Sequence, residues 1–283
     1  MNSKSIKLQD DRTFSYAEYG VPNGYPIIYC HGSQSSRLEM HHDVSFATDN
    51  NLRIITIDRP GHGLSDFNPK GSIQSFAIDV AELTTHLNIK KYSVIGMSAG
   101  APFAMGIALA HKNQIDNLSI VSGFAPFNDK SKSYLKKEVK ILLQLAKSIP
   151  LLLRFLLKIQ RFQLKKNPSK ALKQFLKVMS EPDQLILKNP AVLEVIERMF
   201  TEAFRNGSKG VAYEISKILV RDWNININEI DVPTTIYQGK EDNNVPFAWA
   251  ESLQAEIPNS QLKVYPKEGH LLVFEHAEEI FLN

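Results

Sequence analysis

The stretch Gly96-Met97-Ser98-Ala99-Gly100 has the form G-x-S-x-G. The β-rich run Tyr92–Ile95 leads into it and the apolar, helix-like run Ala101–Lys112 leads out. A serine at a strand–turn–helix junction is lifted out of a sharp turn, and side chains two residues to either side would meet backbone. Glycines hold both of those positions, and Pro102 falls in the first helical turn, where a missing N–H costs little. A serine hydroxyl is a weak nucleophile: it needs a base, and the base needs an orienting acid. Asp242 in YQGKEDNNVP and His270 in YPKEGHLLVF each come directly after a β-rich run. Asp129, shortly after the IVSGF run, is the alternative acid, and His276 the alternative base. The other reading of Ser98 is a glycine-flanked structural serine.

These residues need elements to bring them together. RTFSYAEYG, PIIYC, RIITID, KYSVIGMS and NLSIVSGF read as strands. RLEMHHDVSFATDN, SFAIDVAELTTHLN and APFAMGIALAHK, lying between them, read as helices. From about residue 127 to 222 no strand pattern appears, only Leu- and Lys-rich helical stretches punctuated by Pro150, Pro168, Pro182 and Pro190. Alternation then resumes with PTTIYQGKED, PFAWAESLQAEI, QLKVYP and a closing helix HLLVFEHAEEIFL. Strands alternating with helices form a parallel sheet, and ligands of such sheets sit beyond the carboxyl ends of the strands. That is where Ser98, Asp242 and His270 are expected. An attacked carbonyl also needs donors for its developing oxyanion. Ala99, at a helix start, is one candidate amide. Ser33 in CHGSQSS is the other, with Gly32 expected to let that loop approach.

Composition narrows the classes. At 283 residues and 43% hydrophobic the chain can bury a large core. Its only cysteine, Cys30, excludes an intramolecular disulfide, and the N-terminus lacks a secretory apolar core, so a cytoplasmic protein is expected. Ile149–Ile159 is too short and too charged to span a membrane. No CxxC or HExxH spacing suggests a metal. Between Lys130 and Lys177 stand fourteen basic residues against the single acid Glu138, a formal +13, so the remainder carries −10 of the total +3. Within that segment Leu142, Leu145, Ile149, Leu152, Leu153, Phe155, Leu156, Ile159 and Phe162 are dense enough to cover an apolar cleft and pack on one another. The cations, Lys136, Lys137 and Lys140 among them, then form a solvated outer face. The alternative is a face for an anionic membrane or an acyl-carrier-type partner.

Taken in order, YCHGSQSSRLE, IDRPGHGLSD, VIGMSAGAP, YQGKEDNNVP and EGHLLVFEH resemble the α/β-hydrolase superfamily over nearly the whole chain. The resemblance implies a mostly parallel sheet flanked by helices. Residues 1–126 and 223–283 would form its core, with 127–222 as an inserted helical cap over the site. It further implies Ser98 as nucleophile, His270 as base, Asp242 as acid, the Ser33 and Ala99 amides as oxyanion hole, and no metal or organic cofactor. The expected partner is a small molecule with an apolar acyl group, not nucleic acid. The expected reaction is hydrolysis of an ester, thioester or lactone. Two departures bear on the branch: His31-Gly32-Ser33-Gln34-Ser35 replaces the HGGPG of proline-iminopeptidase-like members, and Ser98 stands where dehalogenases and epoxide hydrolases carry aspartate. An aminopeptidase or amidase, cofactor-free perhydrolysis, and a non-catalytic binding protein of the same fold are the alternatives.

Overall fold

The computed structural model describes residues 2–135, 137–177 and 179–283. Lys136, and the side chains of Glu138 and Lys173, lie outside the described residues. Eight strands, β1 (Asn2–Lys7), β2 (Thr13–Gly20), β3 (Tyr25–Cys30), β4 (Leu52–Ile57), β5 (Tyr92–Met97), β6 (Ile115–Val121), β7 (Thr234–Gly239) and β8 (Ser260–Tyr265), form one sheet in the order β1-β2-β4-β3-β5-β6-β7-β8. Strand β2 runs antiparallel to both β1 and β4, and every other pairing is parallel. This is the mostly parallel α/β sheet expected from the alternation.

Period-two alternation divides the sheet's side chains between two cores. Ile28, Cys30, Val94 and Ile120 face one core, with α2 (Ile73–His86) and α3 (Ala101–Ala110) packed on it. Ile27, Tyr29, Ile95 and Val121 face the other, closed partly by α1 (Ser45–Asp49) and α12 (Ala277–Phe281). All six residues of β5 are buried, as befits a central strand covered on both faces. Cys30 is fully buried, and burial pushes its thiol up to about 12.

Between β6 and β7 the described residues form helices and no strand. They are α4 (Asp129–Ser133), α5 (Lys137–Ser148), α6 (Pro150–Lys166), α7 (Pro168–Leu176), α8 (Glu181–Ile186), α9 (Pro190–Ala203), α10 (Lys209–Tyr213), the π-helical segment Glu214–Leu219 and the 3₁₀ turn Ile227–Glu229. Pro150, Pro168, Pro182 and Pro190 each sit in a first turn, where the backbone N–H has no intrahelical partner to lose. Leu157, Leu164, Ala203, Phe204, Val211 and Ala212 form a small core of their own. Helix α11 (Phe247–Glu256) connects β7 to β8.

The structure adds one strand and corrects three expectations. The side-chain pattern gives no sign of β1, an edge strand that buries little beyond Ile6 and is held by its ladder to β2. Of the helix expected over 37–50 only Ser45–Asp49 is helical. The preceding residues are drawn inward by Arg37, which binds Asp58 and Glu202, and by Glu39. The closing helix is broken into a 3₁₀ turn, Leu272–Phe274, and α12. His276 is therefore the residue before α12 and not an interior helical position. Finally, of the nine apolar residues expected to cover a cleft and pack on one another, Leu142, Leu145, Ile149, Leu152, Phe155, Leu156, Ile159 and Phe162 are exposed, and only Leu153 packs against a core.

Candidate active site

Ser98 lies at the carboxyl end of β5 with φ = +52°, in the left-handed region that costs a non-glycine residue about 1–3 kcal/mol. The turn persists because its flanks are packed backbone to backbone. A Cβ on Gly96 would stand 2.7 Å from Ala101 Cα, and one on Gly100 2.1 Å from the Cys30 carbonyl oxygen. Both glycines are therefore required by space. Gly32 is not: a Cβ there meets Glu39 Oε2 at 3.4 Å and Ser98 Cβ at 3.6 Å, ordinary contacts. The expectation that Gly32 is what lets the loop approach is set aside.

Asp242 and His270 follow β7 and β8 and meet. His270 Nδ1 donates to Asp242 Oδ2 at 2.8 Å, since a carboxylate can only accept. The carboxylate is fixed from its other sides by the amides of Asn244 (2.8 Å) and Val245 (2.9 Å) and by Gln238 Nε2 (3.1 Å). Burial opposes a charged His270, but Asp242 beside it outweighs burial, with smaller help from Asp183 and Glu39, so its pKa is raised. Asp129 is fully exposed and pairs with Lys132.

Ser98 and His270 line one cavity of about 180 Å³. Its walls are largely apolar: Met97, Phe124, Leu271, Val273 and Phe274, roofed by Leu176, Met179, Ile196, Met199 and Phe200 of the helical segment. The roof thus comes from residues 176–200 and not from the apolar residues of 142–162 singled out in the sequence.

Ser33 also lines this cavity. Its loop is held by Arg59, which is fully buried and donates to the His31 carbonyl and, at 2.9 Å, to the Gly32 carbonyl. In a trans peptide the N–H lies opposite the C=O, so the Gly32 anchor turns the Ser33 amide away from Arg59. The Gly32 amide is occupied by Glu39, at 3.1 and 3.0 Å to its two oxygens. Ser33's amide has no protein partner among the described residues. Ala99 is buried in the 3₁₀ turn Ser98–Gly100, whose leading amides have no partner within the turn. His31 is buried, its pKa held well below the ordinary value by burial and then by Arg59 and His62; it is a neutral part of the loop.

Four supporting residues escaped the sequence reading. Arg59 is held by Glu214 of the helical segment at 2.6 and 2.8 Å. Glu39 accepts from Tyr29 Oη at 2.7 Å, and burial pushes its carboxyl up. Asp183, at the start of α8, accepts from the Leu271 amide at 2.7 Å and so grips the His270 loop from above. The one sequence signal for any of them is an acid, Glu39, between the apolar Leu38 and Met40.

The alpha/beta hydrolase fold family model matches residues 25–277, and the chain belongs to that family. Among its relatives, a non-heme chloroperoxidase of Streptomyces lividans is 25% identical, the match covering 97% of this chain and 95% of that one. A monoacylglycerol lipase of Mus musculus is 26% identical over 95% of this chain and 77% of the relative. Of solved structures, an esterase from Exiguobacterium antarcticum superposes with a TM-score of 0.70 at 18% identity, covering 99% and 96%. At that identity the likeness speaks for the fold alone.

Proposed function

We propose that the protein is a serine hydrolase that cleaves a carboxylic ester, thioester or lactone through an acyl-enzyme on Ser98. In this reading Ser98 Oγ attacks the carbonyl carbon while His270 Nε2 takes its proton. The oxyanion is held by the Ser33 and Ala99 amides, and collapse expels the leaving group with the proton from His270. Water then attacks the acyl carbon, its proton passing to His270, and Ser98 leaves with that proton. Asp242 fixes the tautomer and balances the imidazolium. The apolar walls suit an apolar acyl group, and residues 127–222 serve as a cap on a core made of 1–126 and 223–283.

The observation that carries this reading is the pairing of a left-handed Ser98 with an Asp242-bound His270 on the wall of one apolar cavity. The likeness to a chloroperoxidase favours a second outcome for the same acyl-enzyme, transfer of the acyl group to hydrogen peroxide instead of water. Labelling of the intact protein by a fluorophosphonate, lost in Ser98→Ala, tests the nucleophile. A protein that never labels and turns over no ester of any acyl length is a binding protein of this fold, and the proposal falls.

A further inference from the structure

Helix α6 is amphipathic in an unusual sense, because its more apolar face looks outward. Leu153, Leu157, Gln160 and Leu164, spaced three and four residues apart, turn inward. Leu151, Phe155, Ile159 and Phe162 run along another face at i, i+4, i+8 and i+11 and are 78, 58, 42 and 67% exposed. Ile141, Leu142 and Leu145 of α5 and Ile149 between the helices are exposed too. A soluble surface scatters such residues singly, whereas this one gathers them on one helical hairpin, along an α6 about 25 Å long.

The charge bordering the apolar face has one sign. Arg154, Lys158 and Lys165 repeat at i, i+4 and i+11 beside it, while Arg161 is turned to the Phe204 and Arg205 carbonyls, and no acid occurs between Glu138 and Glu181. Among the described residues none of these four, nor Lys137, Lys140 or Lys170, makes an ion pair. A solvated outer face would need the cations but has no use for the phenylalanines. A second copy of the chain would bury the apolar residues only by bringing two cationic borders together. An anionic lipid surface satisfies both halves of the pattern, burying apolar side chains at acyl depth while the cations meet headgroups.

Behind this face lies a second cavity, of about 500 Å³. Leu142 and Leu156 of the exposed face line it, and so do Ser33, Gln34 and Phe124, which also line the cavity beside Ser98. The two cavities therefore adjoin across Ser33, Gln34 and Phe124, which places the second cavity between the face and the candidate nucleophile. No helix among the described residues is long and apolar enough to cross a membrane, so contact would be peripheral.

We infer that the α5–α6 face docks the protein on anionic lipid surfaces and delivers a long-chain acyl ester from them to Ser98. The delivery half rests on the serine-hydrolase reading; the docking half does not. The experiment is co-sedimentation with vesicles of phosphatidylcholine alone or mixed with phosphatidylglycerol, using wild type, Ser98→Ala, the triple reversal Arg154→Glu/Lys158→Glu/Lys165→Glu, and Phe155→Ser/Phe162→Ser. Wild type and Ser98→Ala should bind the anionic vesicles equally, and less as salt rises. Each basic residue near such a surface multiplies partitioning roughly five-fold, so the triple reversal should lower it by at least about a hundred-fold. The serine pair should lower it at least about ten-fold through lost burial. Both surface variants should turn over soluble p-nitrophenyl acetate like wild type, while losing turnover of a long-chain ester carried in the anionic vesicles. Wild type that ignores anionic vesicles at low salt, or a triple reversal that binds like wild type, overturns the docking. So does a concentration-dependent dimer that the serine pair abolishes, in protein that binds no vesicle. Vesicle binding without hydrolysis of any ester would leave the docking face standing and refute the serine-hydrolase reading.

Discussion

Replacing Gly100 with alanine perturbs the candidate site by a single methyl group that has nowhere to go. An ideal Cβ at Gly100 lies 2.1 Å from the Cys30 oxygen and 2.6 Å from the His31 oxygen, where an ordinary contact begins near 3.4 Å. Relief requires a shift of roughly 1 Å between the start of α3 and the end of β3, because the obstructing atoms are backbone and cannot rotate aside. Overpacking of this kind costs about 1–3 kcal/mol, which in a domain of this size lowers Tm by about 2–10 °C. The same shift separates the Ala99 amide from the Ser33 amide across the carbonyl they are proposed to share. A misplacement of about 1 Å, or loss of one oxyanion donor, costs about 10²-fold in kcat. Gly32→Ala is the matched control: its Cβ makes ordinary contacts only, and it should leave kcat within a few-fold of wild type. Thermal melts and p-nitrophenyl ester kinetics on both variants decide the matter. A Gly100→Ala protein with wild-type Tm would refute the packing argument, and one with a lowered Tm but wild-type kcat would refute the oxyanion role of Ala99.

Asp242→Asn should keep the fold and lower kcat by up to about 10⁴-fold, since an asparagine favours the wrong imidazole tautomer; Asp129→Asn should match wild type in the same ester assay, and the reverse order would reassign the acid. Because His270 must be neutral to accept a proton and its pKa is raised, kcat/KM should fall on the acid side with an apparent pKa above the ordinary 6.5. In a pH–rate profile Asp183→Asn should move that limb to lower pH, because Asp183 is one of the charges raising His270; an unmoved limb would reduce Asp183 to a purely structural contact. Glu214→Ala leaves Arg59 buried without its carboxylate and should destabilise the fold by about 3–5 kcal/mol in chemical denaturation, whereas a loss under 1 kcal/mol would mean that water or a neighbour replaces the partner.

What the sequence made legible follows from locality. The elbow around Ser98 is a strand, a turn and a helix in immediate succession, and the loops holding Asp242 and His270 directly follow strands, so their placement is written within a dozen residues. Arg59 and Glu214, or Asp183 and Leu271, carry no such signal. Each pair lies far apart along the chain, and nothing about an arginine in a Pro-Gly turn announces a partner in a helix not yet threaded. The error over residues 37–50 has the same root. Leu38, Met40 and Phe46 give that segment a plausible helical content, but Arg37 and Glu39 are claimed by Asp58 and by the Gly32 amide. Buried polar bonds then override local preference. The edge strand β1 hides for the opposite reason: it is held by backbone bonds that leave no trace in side-chain pattern.

The sole thiol of the chain sits where the packing around the elbow is tightest. The carbonyl of Cys30 is the atom that excludes a side chain at Gly100, while its sulfur is sealed in the core with its ionisation suppressed. Only the thiolate attacks an alkylating reagent, so in the folded protein the reaction must wait for the centre of the sheet to open. The rate of Cys30 alkylation under native conditions is accordingly a clock for that opening, read without adding a label. Because the Cys30 carbonyl packs directly on Gly100 of the elbow, the clock registers loosening of the turn that carries Ser98 before any change in overall helicity is seen. It could rank variants by how firmly each holds that turn closed.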